Sequence, residues 1–444
     1  MNSYRRVGYC DGYTEILEKL QREQNEIFWK INQGERSDDK RELLAPYVKK
    51  YLSDQKITLD VYSQSELAEK LVDDLLFYSV LTRPLTDDEV EGIHVNSWED
   101  VQVEFRDGTK CKIDGFQSAQ HGIDIIRRLL QRSNMTIDRA VPMAEGSIGS
   151  HIRISAMISP IVDEEVGCCC YIRKLRQQIF STQEYLQSDF ASEKELNFLT
   201  TALRYGVSIL LVGKVNAGKT SFLSYLLSQM PDEQKIATVE SGAREISLMK
   251  RGADHRVQNN VIHLLTRPSR REEQNITQEK LVEKLLRQNA EVIAMAEMRN
   301  EEAYAAQEAS LVGASVISTA HAGSPQLAHK RVADLCRKRS VDYQTALTQA
   351  CEAFPIVAYL HMLPDRKRRI MNISECTVSG GRIRYRNLFE YRIAVQRLEE
   401  DGECVIEGEH KQVGNPSDAL IQQMKMYGIS RREIDGVRGK EEGE

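Results

Sequence analysis

Val207-Ser208-Ile209-Leu210-Leu211-Val212-Gly213-Lys214-Val215-Asn216-Ala217-Gly218-Lys219-Thr220 is an apolar run that empties into a glycine-bounded loop. The loop, from Gly213 to Thr220, fits the pattern G-x-x-x-x-G-K-[ST]. A strand-like run precedes it and an amphipathic helix, residues 219–230, follows, which is the context this pattern requires. The spacing has a chemical reason. Backbone N–H groups must converge on a β-phosphate, and the following helix must point its positive end there. Lys219 then reaches the β and γ oxygens, while the Thr220 hydroxyl ligates Mg²⁺. The expected nucleotide-binding set is Gly213, Lys214, Val215, Asn216, Ala217, Gly218, Lys219, Thr220 and Ser221, with ATP and Mg²⁺ bound there. Asn216 stands where such loops usually carry glycine. Asparagine tolerates positive φ, so the loop is expected to survive the change.

Outward from the loop, strand and helix patterns alternate from about residue 186. Ser192 and Glu195 form a capping box for a helix that Gly206 ends. Residues 235–240, 291–297 and 315–320 are nearly continuous apolar runs, as strands buried on both faces should be. Helices are expected between them, including residues 300–312 and one opened by Ser324-Pro325. Such alternation implies a parallel sheet covered by helices on both faces. The expected fold class is α/β, with a RecA-like P-loop NTPase core over residues 186–410. Upstream, residues 86–185 show the shorter period of strands, with Arg106-Asp107-Gly108-Thr109 as a hairpin turn, and read as a small α+β domain. Residues 1–85 read as a helical N-terminal extension, with a linker at 82–88. Residues 411–444 read as a polar, loosely attached C-terminal tail.

Composition narrows the function classes. The chain has 444 residues, enough for two or three domains. Its apolar fraction of 41 % and charged fraction of 28 % are those of a soluble globular protein. A net charge of −6 gives no general drive toward nucleic acid or anionic lipid. No apolar run approaches the roughly 18 residues that span a bilayer, and the first twenty residues lack the apolar core of a signal peptide. Nine cysteines in such a chain favour free thiols in a reducing cytoplasm. Cys168-Cys169-Cys170 reads as structural, because adjacent strand residues point to opposite faces and no Cys-x-x-Cys pair occurs. The basic run Arg366-Lys367-Arg368-Arg369 reads as a solvated turn between two strands rather than a nucleic-acid patch.

With the loop in place, the flanking segments resemble the secretion and pilus-assembly ATPase superfamily, and within it the CpaF-like branch serving Flp (tight-adherence) pili. The resemblance covers about residues 85–395. Glu91-Gly92-Ile93-His94-Val95-Asn96 resembles the family's E-I-M-V-N-G. Arg153-Ile154-Ser155-Ala156-Met157-Ile158-Ser159-Pro160 is similar to its R-V-N-A-V-I-P-P, and Ile172-Arg173-Lys174 to its I-R-K. Thr238-Val239-Glu240-Ser241 stands where the family has the T-I-E-D Asp box. Val292-Ile293-Ala294-Met295-Ala296-Glu297-Met298-Arg299 resembles its Walker B strand, I-I-V-G-E-V-R. Ser318-Thr319-Ala320-His321-Ala322-Gly323-Ser324-Pro325 resembles its His box, T-x-H-A-N-S-P.

The resemblance implies roles. Glu297 would orient the attacking water, Glu240 would serve the outer shell of the metal, and His321 would feel the γ-phosphate. Arg153 and Arg173 would reach the γ-phosphate from the small domain, closing on it through a hinge near residues 181–192. Arg267 is a weaker candidate for the same task. Ser241 in place of the Asp-box aspartate removes a carboxylate on the metal side. The absence of a four-cysteine module argues against the type II secretion branch.

The expected function is that of an ATP-hydrolysing motor subunit for pilus assembly or protein secretion. It would act as a homohexamer on an inner-membrane platform protein, at the cytoplasmic face, with no membrane span and no nucleic-acid partner. A DNA-mobilising ATPase of a conjugative element and a non-hydrolysing nucleotide-gated scaffold stay open as alternatives.

Overall fold

A computed structural model describes residues 12–13, 16–17, 19–20, 37–59, 62–133, 135–148, 151–175, 179–242, 244–267, 269, 271–299, 302–336, 341–399 and 404–438. The chain divides into two compact units, Met1–Arg176 and Gln177–Glu444. The boundary falls at a charged, polar stretch after the last strand of the first unit.

In the first unit, α1 (Ser37–Asp54) and α2 (Gln64–Leu76) pack through Leu44, Val48, Leu52, Leu67 and Leu71. The expected linker at 82–88 instead contains a short helix, α3 (Thr82–Thr86), and the adjoining Leu81 is fully buried. Leu81 wins because its burial outweighs the turn signal of Pro84, which a helix tolerates in its first turn. Six antiparallel strands follow: β1 (Val90–Val95), β2 (Val101–Phe105), β3 (Lys110–Ile113), β4 (Met143–Ile148), β5 (Ile152–Ile158) and β6 (Cys168–Lys174). Their order is β3-β2-β1-β6-β5-β4. Helix α4 (Ala119–Gln131), capped by Ser118, lays Ile125, Ile126, Leu129 and Leu130 into the same core as the inward-facing strand residues. In β6 the alternation is visible in the cysteines. Cys168 and Cys170 are buried, whereas Cys169 is half-buried and donates to the Asn96 carbonyl at 3.2 Å.

The second unit opens with α5 (Thr182–Gln187) and α6 (Glu193–Arg204), each started by a serine–glutamate capping box. Residues 181–192, expected as a hinge, therefore hold a helix whose Tyr185 is anchored in the core among Phe190, Phe222 and Tyr225. The core of the unit is a nine-stranded sheet. Its parallel part runs β12 (Ile356–Met362), β7 (Ile209–Gly213), β11 (Ser315–Ala320), β10 (Val292–Met295), β8 (Ile236–Glu240) and β9 (Val261–Leu265). Within β7 the side chains alternate between two cores: Ile209 and Leu211 join one, Leu210 and Val212 the other. Helices α6 and α7 (Lys219–Ser228) cover the first face. The second carries α8 (Gln278–Leu286), α9 (Glu302–Leu311), α10 (Pro325–Cys336) and α11 (Tyr343–Ala353). This is the α/β P-loop core that alternation implies.

Two features depart from the expectation. The sheet is mixed: β13 (Arg368–Ser379), β14 (Arg382–Leu398) and β15 (Cys404–Gln412) add antiparallel strands beside β12. Residues 411–438 are not a loose tail. Helices α12 (Asp418–Met426) and α13 (Arg431–Val437) insert Leu420, Ile421, Met424, Ile434 and Val437 into the first core, beside Phe198. The apolar positions of this segment are sparse in sequence but fall on one face once the helices form. Among the described residues, no helix is long and apolar enough to cross a membrane.

Candidate active site

Parallel strands gather their C-terminal ends on one edge of the sheet, and ligands of open α/β folds bind there. β7 leads into the glycine loop at that edge. Gly213 approaches the β12 backbone so closely that a Cβ would run into the Leu360 carbonyl oxygen. Asn216 has φ 65° and Gly218 φ 85°, so two left-handed residues curl the loop. Asparagine supports the positive φ, and a partner fixes it. Arg368 Nε donates to the Asn216 carbonyl at 2.8 Å, and Nη2 donates to its Oδ1 at 3.0 Å. Lys214, Val215, Asn216 and Ser221 are exposed, Thr220 is half-buried, and Ala217 is buried beneath the loop.

Lys219 is buried at the start of α7. Its ammonium donates to the Gly213 and Lys214 carbonyls at 3.0 and 2.8 Å and stands 3.4 Å from His321 Nδ1. Burial lowers its pKa, and the Glu297 charge partly offsets that. The other imidazole nitrogen of His321, Nε2, lies 3.1 Å from Glu297 Oε1. Because Lys219 can only donate, His321 accepts at Nδ1 and turns an Nε2–H toward the carboxylate. Glu297 Oε2 accepts from Arg299 Nη2 at 2.6 Å. Burial is the largest influence on this carboxyl and pushes its pKa up. The Arg299 hydrogen bond and charge lead the opposing influences and outweigh it, so the group is held below its ordinary range. Lys219, His321, Glu297 and Arg299 thus form one chain of contacts across the ends of β7, β11 and β10.

The backbone that presents Glu297 is pinned from β11. Thr319 Oγ1 donates to the Ala296 carbonyl at 2.6 Å and Ser318 Oγ to the Met295 carbonyl at 3.0 Å, while the Met298 amide donates to the Thr319 carbonyl. The Ser-Thr of the His-box segment therefore aims the carboxylate as well as carrying His321.

Glu240 sits differently. It is 1 % exposed, and its carboxylate accepts from the amides of Ile246 at 2.8 Å and of Glu245 at 3.2 and 3.3 Å. Burial lifts its pKa to about 7 against those amides. It holds the backbone after β8 through those amides. Arg267, exposed and two residues past β9, lies beyond the neighbouring strand end. In the first unit Arg153 and Arg173 face each other directly across β5 and β6, Arg173 exposed and Arg153 half-buried.

Sequence reasoning assigned no role to two arginines. Arg299 is within the quoted Walker B segment, two residues past Glu297. Arg368 belongs to the basic run expected to be a solvated turn, and that expectation fails at two positions. Arg368 bonds to the loop. Arg369 is 1 % exposed, with its guanidinium 2.8 Å from both Asp189 and Asp365 and 4.9 Å from the centre of the Tyr391 ring. Pro364 and four consecutive cations signal exposure, but β13 begins within the run and turns every second side chain inward.

Loop and carboxylates fit nucleotide with magnesium. The Thr220 hydroxyl is a hard oxygen donor that suits that ion, and the left-handed turn at Asn216 and Gly218 before a helix N-terminus suits phosphate.

A family described as "Type II/IV secretion system protein" matches residues 72–361, more than half of the chain. The type IV secretion system protein PtlH of Bordetella pertussis is 28 % identical over 185 residues, covering 40 % of this chain and 52 % of that protein. The type IV secretion system protein VirB11 of Brucella suis is 27 % identical over 166 residues, covering 37 % of this chain and 44 % of that protein. The matches thus span about half or less of these relatives' lengths. Among solved structures, the ATPase DotB of Legionella pneumophila aligns with TM-score 0.48 and 14 % identity, over 67 % of this chain and 79 % of that one. The pilus retraction motor PilT with bound ADP aligns with TM-score 0.43 and 12 % identity, over 76 % and 82 %. By its family match, carried on a P-loop core with the Lys219–His321–Glu297 contacts at its edge, the chain belongs to the type II/IV secretion system protein family.

Proposed function

We propose that the protein is an ATP-hydrolysing motor subunit that powers pilus assembly or protein secretion. The observation that carries this reading is the contact chain from Lys219 through His321 to Glu297. It joins the phosphate-binding cation to an ionised carboxylate through one imidazole. Lys219 and the loop amides bind the β- and γ-phosphates. Thr220 is the direct protein ligand for Mg²⁺, which neutralises phosphate charge when bound. Glu297, held ionised by its neighbours, orients the attacking water, and His321 relays the presence or loss of the γ-phosphate to it. Arg299 competes for the same carboxylate and would have to release it when the site is engaged. Glu240, expected in the outer shell of the metal, acts as the anchor of the loop after β8. Arg153 and Arg173 are proposed to serve the γ-phosphate on the family resemblance of their segments alone.

The motor would work as a homohexamer on a platform protein at the inner face of the cytoplasmic membrane, and the tight-adherence pilus branch is the proposed setting. Phosphate release and labelled-ATP binding test the core of this reading. Lys219→Ala should lose ATP binding. Glu297→Gln should bind ATP but turn it over about 10²-fold more slowly, as for loss of a general base. Unchanged affinity in the first variant, or turnover within a few-fold of wild type in the second, would remove the assignment of that residue.

A further inference from the structure

Helices α10 and α11 pack where the antiparallel extension joins the sheet, and three chain segments bring soft donors together there. His329 of α10, Cys351 of α11 and Cys376 of β13 are all buried, and their ligating atoms lie within 4.8 Å of one another. Among the described residues this is the one group of three His, Cys, Asp or Glu side chains so arranged. The imidazole is oriented. His329 Nε2 lies 2.9 Å from the Phe354 carbonyl oxygen, which can only accept, so Nε2 carries the proton and Nδ1 offers its lone pair to the cluster. The Tyr385 hydroxyl of β14 stands 3.1 Å from that Nδ1 and 3.8 Å from Cys351 Sγ. A histidine whose far nitrogen donates to a backbone carbonyl is the usual arrangement behind a metal ligand.

We propose that His329 Nδ1, Cys351 Sγ and Cys376 Sγ bind one zinc ion, with the Tyr385 oxygen beside the fourth position. Two thiols and an imidazole match the Cys/His donors that zinc takes tetrahedrally, with Zn–S of about 2.3 Å and Zn–N of about 2.0 Å. Binding forms two Zn–S bonds and one Zn–N bond and releases the two thiol protons to solvent, with no change of oxidation state. Charge favours the site as well, because two thiolates neutralise one divalent cation and the buried group carries no net charge. Packing alone would account for two buried thiols. The Tyr385 hydroxyl already offers Nδ1 a partner, so the case for a metal rests on two thiols standing within reach of the same lone pair. The bound ion would staple α10, the helix that follows the His321 segment, to α11, β13 and β14. This inference is independent of whether the nucleotide is hydrolysed.

Elemental analysis of the full chain, purified without chelator, should give about one zinc per chain, as for a closed structural site. Cys376→Ser and His329→Ala should reduce that at least tenfold, while Lys219→Ala should retain it. Those core variants could unfold, so the unsubstituted chain supplies a second measurement. Exchange of zinc for cobalt(II) should produce a thiolate-to-cobalt charge-transfer band and the intense d–d absorption of a tetrahedral site. A chain that takes up no zinc on dialysis, a cobalt spectrum without thiolate charge transfer, or a Cys351–Cys376 disulfide found by mass spectrometry in the freshly purified chain would each overturn the proposal.

Discussion

Arg368 reaches across from β13 to bond both oxygens of Asn216 in the phosphate loop, at 2.8 and 3.0 Å. A residue from outside the motif thus fixes the loop at the position where glycine is usual. Arg368→Ala should leave the fold intact, since Arg368 is exposed, yet loosen the loop. The KM for ATP is expected to rise about three- to tenfold, the equivalent of one to two ordinary hydrogen bonds. In an Asn216→Gly background the same substitution should cost less, because the Oδ1 contact is already gone. Equal costs in the two backgrounds would show that the side-chain contact contributes nothing.

The neighbouring arginine should behave in the opposite way. Arg369 is buried against Asp365, whose side chain is 7 % exposed, and also pairs with the more exposed Asp189. Removing it strands a carboxylate in the interior. Arg369→Ala should therefore destabilise the second unit by about 3 kcal/mol or more, read as a lowered thermal midpoint. An unchanged midpoint would mean that water relieves Asp365.

Glu240 gives a pH signature. Its folded pKa is raised to about 7 by burial, from an ordinary value of 4.5. The folded state thus holds the proton more tightly than the unfolded chain. The resulting stability is complete below 4.5 and is lost as pH rises through about 7. Glu240→Gln cannot ionise. The thermal midpoint of the variant, relative to wild type, should climb across that window and level off above it. A flat difference would mean that the amides of Glu245 and Ile246 keep the carboxylate ionised throughout.

Arg153 and Arg173 are register partners on β5 and β6, and the proposed function gives both a part in hydrolysis. Replacing either by alanine should lower ATP turnover while ATP binding is largely kept. Light scattering with a non-hydrolysable ATP analogue should report a ring of about 300 kDa, six times the 50.7 kDa chain. A strict monomer with wild-type turnover would rule the ring out.

The parts of the site that local order dictates were legible in the sequence. The loop, the buried strands β7, β10 and β11, and the residues just past their ends are set by short motifs and continuous apolar runs. Lys219 could be named from the loop motif, and Glu297 and His321 from the family resemblance of the segments that carry them. What escaped depends on partners distant in the chain. Arg368 and Arg369 lie two and three residues past Arg366 in a run whose local signal is exposure, and only pairing of β13 with β12 sends one to the loop and the other inward. Glu240 ends a buried strand as expected, but its amide partners lie in an irregular segment that no periodicity marks. Helices α12 and α13 carry apolar positions too sparse to read until Phe198 and the sheet supply the surface they cover.

Those two helices bear on how shortened forms of the chain would behave. Tyr205 bonds Glu433 at 2.8 Å, Gln423 donates to the Gly206 carbonyl at 2.9 Å, and Leu420, Ile421 and Met424 seal the apolar face beneath. Deletion from Ser417 onward would peel this covering from α6 and leave a sticky surface on an otherwise complete nucleotide fold. Such a truncation would clump and sediment, and its lost turnover would register poor solubility while every residue at the phosphate loop stayed in place.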